Sequence, residues 1–462
     1  MDAVAAPVQM DGTTKLSGDG MAINSFVVKS TIVGALGGLL FGFDTAVISG
    51  TTSALTTTYH LTPTMLGVTV SSALVGTVVG AIGSGIPGQK FGRRDSLRAM
   101  ALFYVISALG CAFAWSWSSL LFFRFIGGLG IGGSSVLGPM YIAEIAPPKW
   151  RGRLVGCFQI NIVVGILLAY ASNAVIGTLH LGMNDWRWML GVSGIPAVGF
   201  LLMLFFIPRS PRWLVTQSRL DESLRVLVLT GVEQAKEELD EIVASVHLEL
   251  TGKKEKLFQR KYKMPVIVAI TMGASCQLSG INAILYYLND IFALAGASKV
   301  SGDLQAVAVG AMNLVATLLA MSVIDKFGRK KLLMTGTAGL AVVLGLVAAV
   351  FMTGKHLHWL VWLLLLYIAL FAISQGAVVW VYISEVFPNR VRSKGQSLGS
   401  SSHWIFNALI SLVFPIMAKS SGAYPFIFFA VMMVLDFFLV WFYYPETTGV
   451  SLEKLEHRLG VD

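Results

Sequence analysis

Asp44 stands in AINSFVVKSTIVGALGGLLFGFDTAVISG, a run of apolar residues and glycines long enough to cross a bilayer. A carboxylate in such a segment is costly, so it usually faces a cavity, finds a partner and marks an ion or substrate path. Arg124, in SLLFFRFIGGLGIGGSSVLGPMYIAE, is the candidate partner. If the first helix runs outward from about residue 28, Asp44 lies roughly 24 Å along it at about 1.5 Å per residue. If the fourth runs inward from about residue 119, Arg124 lies roughly 7 Å below the outer surface. In a hydrocarbon core of about 30 Å these depths agree. A protonatable carboxylate beside a permanent guanidinium has two states: an ion pair, or a neutral acid with a freed arginine. Asp44 and Arg124 are therefore a candidate proton-coupling pair. The alternative is a structural ion pair that locks the two helices together.

The elements that must position this pair are membrane helices. The 462 residues are 55% hydrophobic and only 13% charged, with a mean hydropathy of +0.72. That is about half the charge of a soluble domain. Twelve candidate spans fall near 28–50, 65–87, 96–114, 119–144, 152–176, 189–207, 263–292, 303–324, 331–353, 358–384, 394–418 and 424–444. The net charge of +9 is dispersed among short loops rather than gathered in a patch, which argues against a nucleic-acid partner. Basic loops (Lys90 to Arg98, Lys149 to Arg153, Lys326 to Lys331, Arg390 to Lys394) alternate with nearly uncharged ones, where Arg187, Lys299, Lys355 and Lys419 stand alone. The positive-inside rule then puts both termini in the cytoplasm and the protein in the cell (inner or plasma) membrane. The first span is expected to serve as an uncleaved signal. Trp115, Trp117, Trp186, Trp188, Trp359, Trp441 and Tyr443 gather near span ends as an interfacial belt would. Cys111, Cys157 and Cys276 all fall in apolar segments, so no disulfide framework is expected.

The chain is also a duplication. GQKFGRRD at 88–95 matches IDKFGRKK at 324–331, and YIAEIAPPKWRGR at 141–153 matches YISEVFPNRVRSK at 382–394. Glu144 to Glu385 and Arg151 to Arg392 are separated by the same 241 residues. The expected organisation is a tail (1–27), a six-helix half (28–207), a cytoplasmic helical linker (208–262), a second six-helix half (263–444) and a C-terminal tail (445–462). DESLRVLVLTGVEQAKEELDEIVASVHLEL in that linker reads as amphipathic helix. Parallel six-span halves with a site between them describe a transporter: an all-α integral membrane protein of twelve transmembrane helices.

The motifs GGLLFGFDTAVISG, GQKFGRRD, RFIGGLGIGG, PMYIAEIAPPKWRGRL, PRSPRWL, QLSGINAILYY, DKFGRK, SEVFPNRVRSKG and PETTG resemble, in order, those of the sugar porter family of the major facilitator superfamily. The resemblance covers about residues 28–455. Within the family, Asp44 with Arg124 resembles the bacterial D-xylose–proton symporter type, whereas facilitative glucose transporters usually carry Asn in place of Asp44. Proton symport of a monosaccharide or polyol (pentose, hexose or inositol) is what this implies, with the proton as coupling ion and no other cofactor. Gln89, Arg209, Cys276, Gln375, Ala377, His403 and Thr448 depart from the family pattern, so the sugar is left open. A facilitative uniporter with a structural Asp44 is the alternative. A transporter-like sugar sensor is a third reading, disfavoured because such sensors usually signal through a long cytoplasmic tail. No nucleophile–base set or metal cluster speaks for an enzyme.

Polar residues at mid-membrane depth are the candidate substrate site: Gln159, Gln277, Asn282, Tyr286, Asn313, Trp380, His403 and Asn407. Amides donate and accept, which suits hydroxyl recognition, and a tryptophan face can stack on a pyranose ring. By resemblance, Gln159, Gln277, Asn282, Asn313 and Trp380 match binding positions of sugar porters. Interhelical hydrogen bonding is the alternative for each amide. His403 could line the pocket, sense protons or bond a neighbouring helix. Arg93, Arg94, Glu144, Arg151, Arg329, Glu385, Arg392 and Glu446 form a candidate gating charge network at the inner face. In it, Glu144 with Arg94 or Arg392, and Glu385 with Arg329 or Arg151, would bridge the halves when the inner side is shut. Solvated topology signals are the alternative. Gly128, Gly130 and Gly133 fit G-x-G-x-x-G but sit inside a span, where glycines let helices approach rather than bind a dinucleotide. A monomer in the bilayer is expected to suffice for function.

Overall fold

The computed structural model describes residues 24–147, 149–179, 181–232, 234–251, 255–388 and 390–447. The tails at 1–23 and 448–462, with Thr448, lie outside the described residues. Twelve helices are long and apolar enough to cross a membrane, numbered here as spans 1 to 12: Ser25–Gly50, Pro63–Lys90, Arg93–Ala112, Trp117–Ile145, Arg151–Thr178, Asp185–Met203, Arg260–Tyr286, Lys299–Ser322, Arg329–Thr353, Leu357–Glu385, Arg392–Ser420 and Tyr424–Tyr443. Local signals set their starts. Thr62 accepts from the Met65 amide just before Pro63, and Ser116 and Ser119 cap span 4 reciprocally. Both devices satisfy amides that have no partner inside the helix.

Spans 1 to 6 pack among themselves, chiefly 1 on 5 and 4 on 2 and 3. In the second half 7 packs on 11, 9 on 12, and 10 on 8 and 9. The halves meet where span 2 crosses span 11 and span 5 crosses span 8. Lipid tails are as apolar as leucine, so crossings must rely on close packing. The glycine run of span 4 serves this. A Cβ on Gly128 would lie 1.9 Å from the Ala73 carbonyl, and one on Gly76 would lie 2.2 Å from that of Phe125.

Three expectations are corrected. Residues 263–292 are not one continuous helix: Lys263–Leu278 is followed by Ile281–Tyr286 and Leu288–Leu294. Gly280 sits at φ +87°, a left-handed geometry open to glycine, and Tyr367 donates to the Ser279 carbonyl at 2.9 Å. A break at that depth is tolerable because its backbone groups are satisfied. The amphipathic stretch of the linker is likewise broken, into Leu220–Leu229 and Ala235–Thr251 with a turn at Gly231 (φ +77°), and Pro211–Thr216 precedes it. Its helices close over Val215, Leu227, Leu239 and Val246, and Asn24 bonds the Leu229 carbonyl at 2.8 Å. Trp186 is not an interfacial ring. It is 1% exposed and packs edge-on to Tyr59, while Trp115 is 76% exposed. Span 10 carries a π-helical turn at Ala372–Gly376, a distortion frequent at functional sites.

Candidate functional site

The Arg124 guanidinium lies 3.8 Å from the Asp44 carboxylate. Arg124 is 3% exposed and Asp44 27%. That distance is an ion pair without a hydrogen bond. Arg124 is instead anchored elsewhere, donating from Nε to the Thr69 carbonyl of span 2 at 3.1 Å. Thr69 is itself fixed by Trp117, whose indole donates to its hydroxyl at 2.8 Å. The arginine is thus held by spans 2 and 4, while the carboxylate on span 1 is free to change protonation without dislodging it. A cavity of about 10 Å³ opens beside the pair, lined also by Phe41 and Thr45 and by Tyr286 and Trp404 of the other half. That is about the room of one water. Matching depths could not reveal that the second half contributes to this cavity.

The second half assembles most of the candidate substrate residues around the break in span 7. Asn282 donates to the Gln277 side-chain oxygen at 3.1 Å across Gly280. With that oxygen occupied, the Gln277 amide donates to His403 Nε2 at 2.9 Å. The same amide nitrogen lies 3.3 Å from His403 Nδ1, so it meets both ring nitrogens. The Trp380 ring centroid is 4.9 Å from that of His403. Asn407 donates to the Tyr286 hydroxyl at 3.2 Å. Phe41 of span 1 meets Trp404 at 5.2 Å between ring centroids, which brings the first half to the same layer. Gln159, half-buried on span 5, and Asn313, buried on span 8, are not drawn into this network; neither side chain bonds another described residue. Their amides keep free donors and acceptors for a ligand.

At the end of the bundle away from the linker, polar groups that sequence reasoning did not single out join the halves. Ser49 donates to Asn289 at 2.6 Å and Thr52 to Asp290 at 2.9 Å. Lys299 of span 8 pairs with Asp185 of span 6 at 3.0 Å, and Asp303 accepts from Asn289. The Tyr170 hydroxyl of span 5 donates to the Leu285 carbonyl at 2.8 Å. The carboxylates of NDIFAL, just beyond span 7, and of SGDLQ, in the first turns of span 8, were the available signal.

At the linker end, Glu144 and Glu385 each pair with an arginine of their own half. Glu144 bonds Arg93 at 2.8 Å and also accepts from Ser210; Arg94, named as its partner from sequence, instead bonds Asp95 at 3.1 Å. Glu385 pairs with Arg329 at 3.3 Å. Arg392 donates to the Phe387 carbonyl at 3.3 Å, and Arg151 is exposed. Glu446 accepts from the amides of Arg329 and Lys330, capping the start of span 9. Arg209 is accommodated by Asp95, at 3.1 Å. Gln89 offers its backbone carbonyl to the Trp213 indole at 2.9 Å.

Two six-helix bundles, closed on each other at one end and lined by charged and amide side chains where they meet, define a twelve-span membrane transporter of the major facilitator fold. A family model described as "Sugar (and other) transporter" matches residues 30–459, and the chain belongs to that family. It is 38% identical over 440 residues to the arabinose-proton symporter of Bacillus subtilis (strain 168), covering 93% of this chain and 94% of the relative. It is 35% identical over 476 residues to the D-xylose-proton symporter of Escherichia coli (strain K12), covering 94% and 96%. An inward open structure of the xylose transporter XylE from E. coli superimposes with a TM-score of 0.83 at 34% identity, covering 94% of this chain and 100% of that one. The XylE structure bound to 6-bromo-6-deoxy-D-glucose gives 0.78, covering 94% and 99%.

Proposed function

We propose that the protein is a proton-coupled symporter of a monosaccharide or polyol, working by alternating access in the cell membrane with the linker and both termini in the cytoplasm. The observation that carries this reading is the Asp44–Arg124 pair, set at the meeting of the halves with its arginine anchored independently of the carboxylate. Protonation of Asp44 cancels its attraction to Arg124 and leaves a neutral side chain, changing how span 1 is held against span 4 beside Tyr286 and Trp404 of the second half. Gln277, Asn282, Trp380 and His403 would bind the sugar from the second half, with Asn407 and Tyr286 behind them. Gln159 and Asn313 would reach it from spans 5 and 8. The polar ties at the far end and the intra-half pairs at the linker end are what an inward-facing state requires. They support assigning Glu144, Arg151, Glu385 and Arg392, with Arg93, Arg94, Arg329 and Glu446, to the gate that forms when the linker end closes.

The reading is tested by uptake of labelled arabinose, xylose, glucose, galactose and myo-inositol into energised cells, with and without a protonophore. Accumulation above the external concentration that collapses with the protonophore is expected for at least one of them. Uptake that only equilibrates and ignores the protonophore would make the protein a facilitator.

Lys299→Met tests the far-end latch. Lys299 is 54% exposed, so its bond to Asp185 is worth at most about 1 kcal/mol. Its loss shifts the balance toward the outward-facing state by up to about fivefold. Labelling of a cysteine introduced at the far end of the cleft reads this as a faster rate; an unchanged rate would leave the latch without a role.

A further inference from the structure

Asp436 is a buried carboxylate well inside a span, away from the Asp44–Arg124 pair and the far-end ties. It sits on span 12 and is 5% exposed, and no ion pair joins it to a described cation. Its close partner is Gln375, 1% exposed in the π-helical turn of span 10, which donates from Nε2 to Asp436 Oδ2 at 2.8 Å. The same amide also reaches the Met433 sulfur at 3.6 Å. The other oxygen of each side chain, Asp436 Oδ1 and Gln375 Oε1, is buried and makes no hydrogen bond of ordinary geometry, with the Ser275 hydroxyl of span 7 standing against the carboxyl group. Two orphaned acceptors on the flanks of one hydrogen bond are costly in hydrocarbon. An ionised Asp436 leaves both in place and adds an unpaired charge.

The groups around it do not supply the missing charge. Span 7 presents Ser275, against the carboxyl group, and the Cys276 thiol. Span 9 has no titratable side chain from Leu332 to Thr353. On span 10, the Tyr367 and Tyr382 hydroxyls donate to the carbonyls of Ser279 and Pro445. Span 11 offers His403, occupied by Gln277, and beyond span 12 Tyr444 shares a hydrogen bond with Thr271. None is a cation facing the acid. A metal ion is a poor fit as well, since hard cations gather six or more oxygens and only two here lack partners.

We propose that Asp436 is a second proton-binding site, protonated on Oδ1 and donating that proton to Gln375 Oε1. Acid and amide then close a ring of two hydrogen bonds, and one proton satisfies both orphaned oxygens while removing the charge. The site stands one residue behind the wall that carries Gln277, through its neighbour Cys276. It belongs to the second half, apart from Asp44 in the first, and does not rest on the transport reading.

Infrared spectroscopy of the full chain in lipid nanodiscs at neutral pH tests this. A protonated-carboxyl stretch that shifts in deuterium oxide is expected in the parent and in Asp44→Asn. Its intensity should fall by one acid group on adding Asp436→Asn, a variant that can make the same two hydrogen bonds. Gln375→Leu keeps the acid and removes its partner, and should move that band to higher frequency. Identical spectra with and without Asp436 would overturn the proposal. So would a band that disappears on adding sodium chloride at fixed pH, which would mark a cation site, or one that Gln375→Leu leaves unmoved.

Discussion

Asp44→Asn is expected to abolish accumulation while sparing exchange. A neutral sugar moved with one proton can be concentrated about fiftyfold by 100 mV, because one charge across that potential is worth about 2.3 kcal/mol. Asparagine has the shape of the protonated acid and can never reload a proton, so net uptake should stop at the external concentration. Counterflow of sugar across proteoliposomes needs no change in protonation and should persist within about threefold. The bundle should survive the change, because Arg124 is held by the Thr69 carbonyl and not by the carboxylate alone. Steady-state accumulation and counterflow measured on the same preparation check this. Full accumulation in the variant would assign Asp44 to structure and remove the coupling mechanism. Loss of both activities with normal folding would mean that the ionised form is needed to change conformation.

Gln277→Leu has the second largest expected effect, and it falls on affinity. Gln277 accepts from Asn282 at 3.1 Å and donates to His403 at 2.9 Å, so it ties the two sides of the break in span 7 to span 11. Leucine fills similar volume but strands both partners, at about 1–3 kcal/mol for each buried group left unpaired. It also removes an amide offered to sugar hydroxyls. The sugar KM should rise at least about tenfold, the equivalent of roughly 1.4 kcal/mol, with a smaller change in maximal rate. Initial uptake rates over a range of sugar concentration read both constants. A rise in KM without loss of maximal rate supports sugar contact; an unchanged KM would return Gln277 to interhelical bonding.

The membrane fold was legible because its signals are local. Apolar length, the alternation of basic loops and the paired strings around Glu144 and Glu385 depend on composition and spacing, which the bilayer reads almost as directly as a reader does. The ion pair was legible for the same reason: two charges cannot lie at one depth in hydrocarbon without reason to meet, and Asp44 and Arg124 do. What the sequence left undecided was every choice among neighbours. Glu144 had several arginines in reach, and the chain's turn at Gly92 gave it Arg93 rather than Arg94. Gly280 could have been a soft position in a straight helix; it became a break because Tyr367, 88 residues away, satisfies the carbonyl released there. Asp436 read as one acid among apolar residues until Gln375 was placed against it with a matching unpaired oxygen. The extent of an apolar run sets how deep a residue lies and how long its helix runs, because those depend on the residues and the lipid alone. Which side chains share a hydrogen bond depends on helix rotation and crossing, set by packing between segments far apart in the chain, and only the tertiary structure decides that.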